Sequence, residues 1–270
     1  MPKDETILRA GTDPKAMVDA ACAFAASDQP ADQATLLHYL SSASFLGRVD
    51  PPAQADAASP KQMKVAKVIK VLRDNPASSV SHPTLVALTA PGGAFRAHAN
   101  RDWLLIYALV PVRPPPPPVI AFWDDQASPD AVWPNDAIIA VCDNATVESA
   151  ALLERKLVGP QFEDADKIGW MQNPILRHRN DLPLLLACER MVTQTLPVGL
   201  RPELVRVLCD YQKKWYYSCD PPKPPPRAQA TRPALEAVRR ICQDAKANLT
   251  LDADLAVAVE RTELEVEALL

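Results

Sequence analysis

Apolar residues along this chain recur at spacings of three and four, the period of an amphipathic helix, and almost nowhere alternate as a half-buried strand would. Met17, Ala21, Phe24 and Ala25 share a face of a helix predicted over 14–27, and Leu36, Leu37, Leu40 and Phe45 do so over 31–46. The link Ser27-Asp28-Gln29-Pro30 is short enough to make these two helices antiparallel. A third helix, 61–73, carries Met63, Val65, Ala66, Val68, Ile69 and Leu72 on its apolar side, with Lys61, Lys64, Lys67, Lys70 and Arg73 spread over the rest. Those charges read as a solvated face. Further helical segments follow at 83–90, 94–110, 116–126, 134–142, 146–157, 180–193, 201–212, 233–248 and 252–269. Ile and Val are interspersed with Ala, Leu and Lys, which favour helix, so the pattern predicts an all-α fold.

Twenty-eight prolines against seven glycines punctuate this pattern. Proline is tolerated in the first turn of a helix and breaks its interior. Thr12-Asp13-Pro14, Ser59-Pro60, Ser81-His82-Pro83, Ser128-Pro129, Asn173-Pro174 and Thr231-Arg232-Pro233 each set a capping residue at or before a proline, and so predict helix starts. Residues 1–12 read as a flexible leader, 50–59 as an exposed Ala/Pro/Asp connector, and 13–270 as one domain.

The 270 residues are 48% apolar and 23% charged, a globular composition. The net charge of −4 argues against a nucleic-acid backbone as the main partner, which would call for a clustered Lys/Arg face. No apolar stretch is long enough to cross a bilayer, and the amino terminus has no signal-peptide pattern, which points to a cytoplasmic chain without membrane contact. Cys22, Cys142, Cys188, Cys209, Cys219 and Cys242 lack zinc or CxxC spacing and read as buried thiols in a reducing compartment.

A weak internal similarity organises the helices. Asp74-Asn75 and Asp143-Asn144 each close one helix and open the turn to another apolar helix, about 69 residues apart, which fits stacked helix-pair units. The segment Pro134-Asn135-Asp136-Ala137-Ile138-Ile139-Ala140-Val141-Cys142-Asp143-Asn144, with Ala150-Ala151-Leu152-Leu153-Glu154 in its second helix, resembles a degenerate HEAT-type repeat. Asn180-Asp181-Leu182-Pro183-Leu184-Leu185-Leu186 resembles another second helix, and residues 200–211 resemble the start of a further pair. The resemblance spans 130–212, extends more loosely over 14–126, and fades over the last sixty residues. It implies an α-solenoid of stacked antiparallel helix pairs, a curved scaffold that binds other macromolecules, and it carries no catalytic positions.

The candidate chemistry is sparse. Arg177-His178-Arg179-Asn180-Asp181 sets Asn where a kinase catalytic loop needs Asp, with no Gly-rich phosphate loop elsewhere, and reads as a turn capping the helix that follows. His38, His82, His98 and His178 have no i,i+4 partner and read as surface or capping residues, and Asp124-Asp125 and Glu163-Asp164-Ala165-Asp166 read as solvated loops rather than calcium sites. No metal or cofactor is expected. Trp103, Tyr107, Phe122, Trp123 and Trp133 cluster mid-chain, and Tyr211, Trp215, Tyr216 and Tyr217 crowd beside Lys213 and Lys214. Most such aromatics pack between helices, yet Trp215, Tyr216 and Tyr217 are consecutive and cannot share one helical face. Together with Lys213, Lys214 and Trp123 they form the predicted partner-binding set. Arg113 with Pro114 to Pro118, and residues 221–227, read as stiff polyproline connectors, the second with SH3-ligand spacing at Pro222, Pro225 and Arg227.

These readings converge on a non-enzymatic interaction scaffold or adaptor that binds a protein through one face of the solenoid. The alternative is an enzyme on helical repeats, a DNA glycosylase-like or bilin lyase-like protein. A glycosylase would need a basic concave groove with aromatics and an acidic residue. A third possibility is one subunit of a surface completed by a second chain.

Overall fold

A computed structural model of the chain describes residues 3–51, 59–209 and 225–270. Among these residues the fold is all-α, with fifteen α-helices and no strand. None of the helices is long and apolar enough to cross a membrane. The chain divides into two compact units: Met1–Gln126 with Ala131–Ala140, and Ala127–Asp130 with Val141–Leu270.

The first unit opens with α1 (Glu5–Ala10), α2 (Pro14–Ala25), α3 (Pro30–Leu40) and α4 (Ala43–Val49). It continues with α5 (Val65–Arg73), α6 (Ser78–Ala87), α7 (Ala99–Ala108), α8 (Pro117–Gln126) and the start of α9 (Pro134–Asn144). The segment read as a leader contains α1: Asp4 accepts from the Thr6 amide, and Leu8 is fully buried. The helix predicted over 31–46 is two helices, because the Ser42 hydroxyl accepts from the Phe45 amide and starts α4 anew. Proline capping works as the sequence predicts at α2, where Asp13 accepts from Lys15 N with Pro14 in the first turn.

It fails at Pro83 and Pro174, and Pro129 sits in a turn that starts no helix. Pro83 lies inside α6, which starts five residues earlier at Ser78, and Pro174 lies within a π-helical turn, Met171–Ile175. At neither site does a helix begin. Tertiary packing supplies what the missing N–H removes: Leu85 of α6 and Ile175 of the π-turn are fully buried.

Contacts in the first unit follow an alternating order. α2, α5 and α7 pack side by side, α5 between the other two, while α3 and α6 pack on one another and on α2 and α5 respectively. Asn75 joins these layers: its Nδ2 donates to the carbonyls of Ala25 (2.8 Å) and Ser27 (3.0 Å), and its Oδ1 accepts from Ala77 N.

The second unit contains the end of α9, α10 (Val147–Val158), α11 (Asp164–Trp170), α12 (Leu182–Arg190), α13 (Arg201–Cys209), α14 (Arg232–Asn248) and α15 (Ala253–Leu269). α11 corrects the acidic-loop reading: Asp164 and Asp166 occupy its first turn, where carboxylates face the positive end of the helix dipole. The alternation recurs here. α12 packs between α10 and α14, and α13 packs on the π-turn after α11 and on α15. Ion pairs mark the same neighbours, Arg190 to Glu154 at 2.7 Å from α12 to α10 and Arg240 to Glu189 at 2.6 Å from α14 to α12.

Candidate functional site

The first unit carries an open groove of about 1130 Å³ formed by α2, α5 and α7. Its size exceeds the roughly 300–1,000 Å³ typical of small-molecule pockets. It is built from the α5 pattern. Val65, Val68, Ile69 and Leu72 are buried, which turns the remaining positions outward, and Lys61, Lys64, Lys67, Lys70 and Arg73 recur every third residue. All five line the groove, with Lys15 from α2. Half of the Lys and Arg residues in the first 140 positions therefore meet at one surface. The sequence read these lysines as a solvated face; the fold sets them opposite two aromatics.

The amino-terminal end of α5 is fixed from a distance. Asp50 is buried, and its two carboxylate oxygens accept from the backbone amides of Lys64 (2.8 Å) and Val65 (3.0 Å). These amides are among the unpaired donors of a helix start, and a carboxylate there is favoured by the helix dipole. The cap comes from fourteen residues upstream, across a connector, so no local motif announces it.

α7 supplies the opposite wall. Trp103 and Tyr107, one helical turn apart, present half-buried rings with centroids 4.9 Å apart and tilted by 60°. Both polar tips donate to the same oxygen of Asp136, Trp103 Nε1 at 2.9 Å and Tyr107 Oη at 2.7 Å. The shared acceptor holds both rings in place. The Lys61 ammonium lies 5.7 Å from the centre of the Trp103 ring, within cation–π range.

Among the described residues Asp19 is the single carboxylate on the groove lining, and Lys67 Nζ approaches it to 2.7 Å. The Lys67 hydrogen bond holds the Asp19 carboxyl below its ordinary value and raises the Lys67 ammonium above its own. Lys67 thus spends its charge locally, while Lys15, Lys64 and Lys70 are exposed along the rim. Arg73 pairs with Asp74 at 2.7 Å, at the edge.

Of the predicted partner-binding residues, Trp123 is fully buried in α8, and its Nε1 donates to the Ile106 carbonyl at 3.2 Å. It is a core residue and offers no surface. Lys213, Lys214, Trp215, Tyr216 and Tyr217 lie outside the described residues, as do Pro222 and Cys219. The sequence groups Trp103 and Tyr107 with Trp123, and of these three the first two line the groove.

Two other polar clusters lie in the second unit. His178 is clamped between carboxylates: Nδ1 is 2.8 Å from Asp181 Oδ2, and Nε2 is 2.8 Å from Asp143 Oδ1. Burial alone would lower its pKa, but the two carboxylate hydrogen bonds outweigh it and raise the imidazole to about 9. With both ring nitrogens engaged, His178 is a charged strut between α9 and the start of α12, with no lone pair left for a metal or a proton transfer near neutrality. The capping reading suits His98, whose Nδ1 accepts from Asn100 N at 3.3 Å. Cys209 and Cys242 bring their sulfurs to 3.9 Å inside the packing of α13 against α14, and both are buried free thiols.

Comparison with protein-family models, with curated proteins and with solved structures finds no match to this chain.

Proposed function

We propose that this protein is a non-enzymatic interaction scaffold, an α-solenoid of HEAT-like helix pairs, whose basic groove receives an acidic segment of a protein partner. The alternating contacts in each unit support the solenoid reading, since α10, α12 and α14 pack in sequence while α13 and α15 form a second layer. The observation that carries the function is the groove itself: among the described residues, six cationic side chains and one lining carboxylate around a fixed Trp–Tyr pair.

Its chemistry favours acidic protein over nucleic acid. Five of the six cations are lysines, compact hydrated charges suited to flexible carboxylates, whereas phosphate recognition favours the planar fork of Arg. Val18, Met63, Ile69 and Leu104 underlie the rim and give an apolar floor beside the aromatics.

Fluorescence anisotropy with a labelled acidic amphipathic peptide tests the reading, with a basic peptide and a single-stranded oligonucleotide of equal length as comparators. Saturable binding of the acidic peptide, weakened by salt and lost in Lys64→Glu/Lys70→Glu, is the expected result. Failure to saturate at low salt, or equal binding by that variant, overturns it.

A second reading rests on Asp136. A carboxylate held between Trp103 and Tyr107 beside a cationic rim is the combination a nucleic-acid-processing helical-repeat enzyme of the glycosylase-like kind would need. Preference for the oligonucleotide over the acidic peptide would favour it.

A further inference from the structure

The second unit ends in a helix with two apolar faces. α15 buries Leu255, Ala258, Val259, Thr262 and Val266. On the opposite side Val257 and Leu264, two helical turns apart, are 63% and 62% exposed. Ala253 and Ala268 extend this stripe to both ends of the helix. Isolated exposed apolar residues are ordinary, but an aligned stripe on the outer side of a helix marks an interaction surface.

The charges beside the stripe are acidic. At 100° per residue, Glu260 and Glu267 flank one edge and Asp254 and Glu265 the other, all exposed, with Arg261 the one cation among them. Glu263 turns inward to Lys246, so it belongs to the internal packing. Glu265 also approaches Arg227, at 3.6 Å.

This face is the counterpart of the groove on α2, α5 and α7. The groove has an apolar floor between cations, and α15 has an apolar stripe between carboxylates. The seventeen residues of α15 span about 25 Å, enough to cover the nine residues of α5, which span about 13 Å. We propose that the acidic segment taken by the groove is α15 of a second copy of this chain, an inference that rests on the groove reading above. The contact joins unlike surfaces, so each copy keeps one groove or one helix for a further copy, and assembly either closes on itself or extends.

Sedimentation velocity of the full chain tests this at about 50 mM and about 500 mM salt. The wild type should sediment above its 29.4 kDa monomer mass, rising with concentration, at the lower salt only. Lys64→Glu/Lys70→Glu removes the groove and Val257→Ser/Leu264→Ser removes the apolar stripe of the helix face, and each alone should be monomeric with unchanged helicity. Mixed in equal amounts, they retain one intact contact, between the helix of the first and the groove of the second. The mixture should therefore form a complex of two chains and nothing larger. A wild type monomeric at every concentration, or a mixture that does not combine, overturns the proposal. If the labelled acidic peptide still saturates that monomeric wild type, the second copy alone is refuted; if it does not, the groove reading falls with it.

Discussion

Lys67 of α5 reaches across the groove to within 2.7 Å of the Asp19 carboxylate on α2, which makes Asp19 the internal competitor for whatever anion enters. Substituting Asp19→Asn removes the competing charge and leaves the Lys67 ammonium unpaired in the groove. Binding of an acidic peptide should tighten by about two- to fivefold at low salt and converge on wild type at high salt. Both side chains are solvent-facing, so the thermal midpoint should hardly move. An unchanged or weaker affinity by anisotropy would show that anions do not meet Lys67.

Trp103 and Trp123 should separate cleanly. Trp123 is enclosed in the core of the first unit, so Trp123→Ala opens a large cavity and should cost about 3–5 kcal/mol in denaturant unfolding. Trp103 is half-buried on the groove wall, so Trp103→Ala should cost much less stability and weaken acidic-peptide binding by about tenfold. Equal destabilisation by both would place Trp103 in the core instead.

That contrast marks how far the sequence reaches. Period and proline punctuation suffice for α2, α10, α14 and α15, because each has one buried stripe and a local cap or turn at its ends, whereas the start of α5 depends on the distant Asp50. They do not suffice for α11, whose acidic first turn resembles a loop in isolation, nor for Pro83, whose place inside α6 depends on neighbours far along the chain. The three-residue spacing of Lys61, Lys64, Lys67, Lys70 and Arg73 was visible from the start. Its meaning was not, because a net charge of −4 averages over the chain and hides where the cations gather. Trp103 and Trp123 each stand between an acidic and an apolar neighbour, and only the packing of α7 and α8 assigns one to the groove and the other to the core.

Asp50 is the remote cap of α5, and Asp50→Ala should leave the Lys64 and Val65 amides without their partner at a buried helix start. The expected cost is about 1–2 kcal/mol by urea unfolding. Since α5 and its capped position carry Lys64, Lys67, Lys70 and Arg73 of the groove, peptide affinity should fall in parallel. Asp50→Asn keeps one acceptor and should recover part of both losses.

The clamp on His178 sets a pH dependence with a defined sign. The folded imidazole releases its proton near pH 9, whereas in the unfolded chain it does so near 6.5. Between those values the folded state holds more protons, so the clamp stabilises fully below about pH 6.5 and its contribution is lost as pH rises through 9. With partial solvent access to the three side chains, the loss should be about 1–2 kcal/mol. Unfolding free energies at pH 6 and 9.5 should differ by that amount in the wild type and not in His178→Gln. A wild type that gains stability over this range would mean that the imidazole is neutral when folded.

Asp136 discriminates between the two readings of the groove. As the common acceptor for Trp103 Nε1 and Tyr107 Oη, it is a positioning group in the protein-binding reading, and it carries the chemistry in the enzymatic one. Asp136→Asn keeps an acceptor oxygen for the two donors and removes the negative charge. If the groove takes an acidic segment, the variant should bind the peptide as well as the wild type or up to about threefold tighter, because one repulsive charge is gone. The tilted ring pair should persist, with the near-ultraviolet circular dichroism of the aromatics unchanged. Asp136→Leu removes the acceptor as well, leaves two donors to find water, and should blunt that aromatic signal and weaken the peptide. A glycosylase-like enzyme would show the opposite ranking: base release from a damaged oligonucleotide in the wild type, abolished by Asp136→Asn although oligonucleotide binding survives. Release of a base by the wild type, lost in this one variant, would overturn the scaffold reading at its centre.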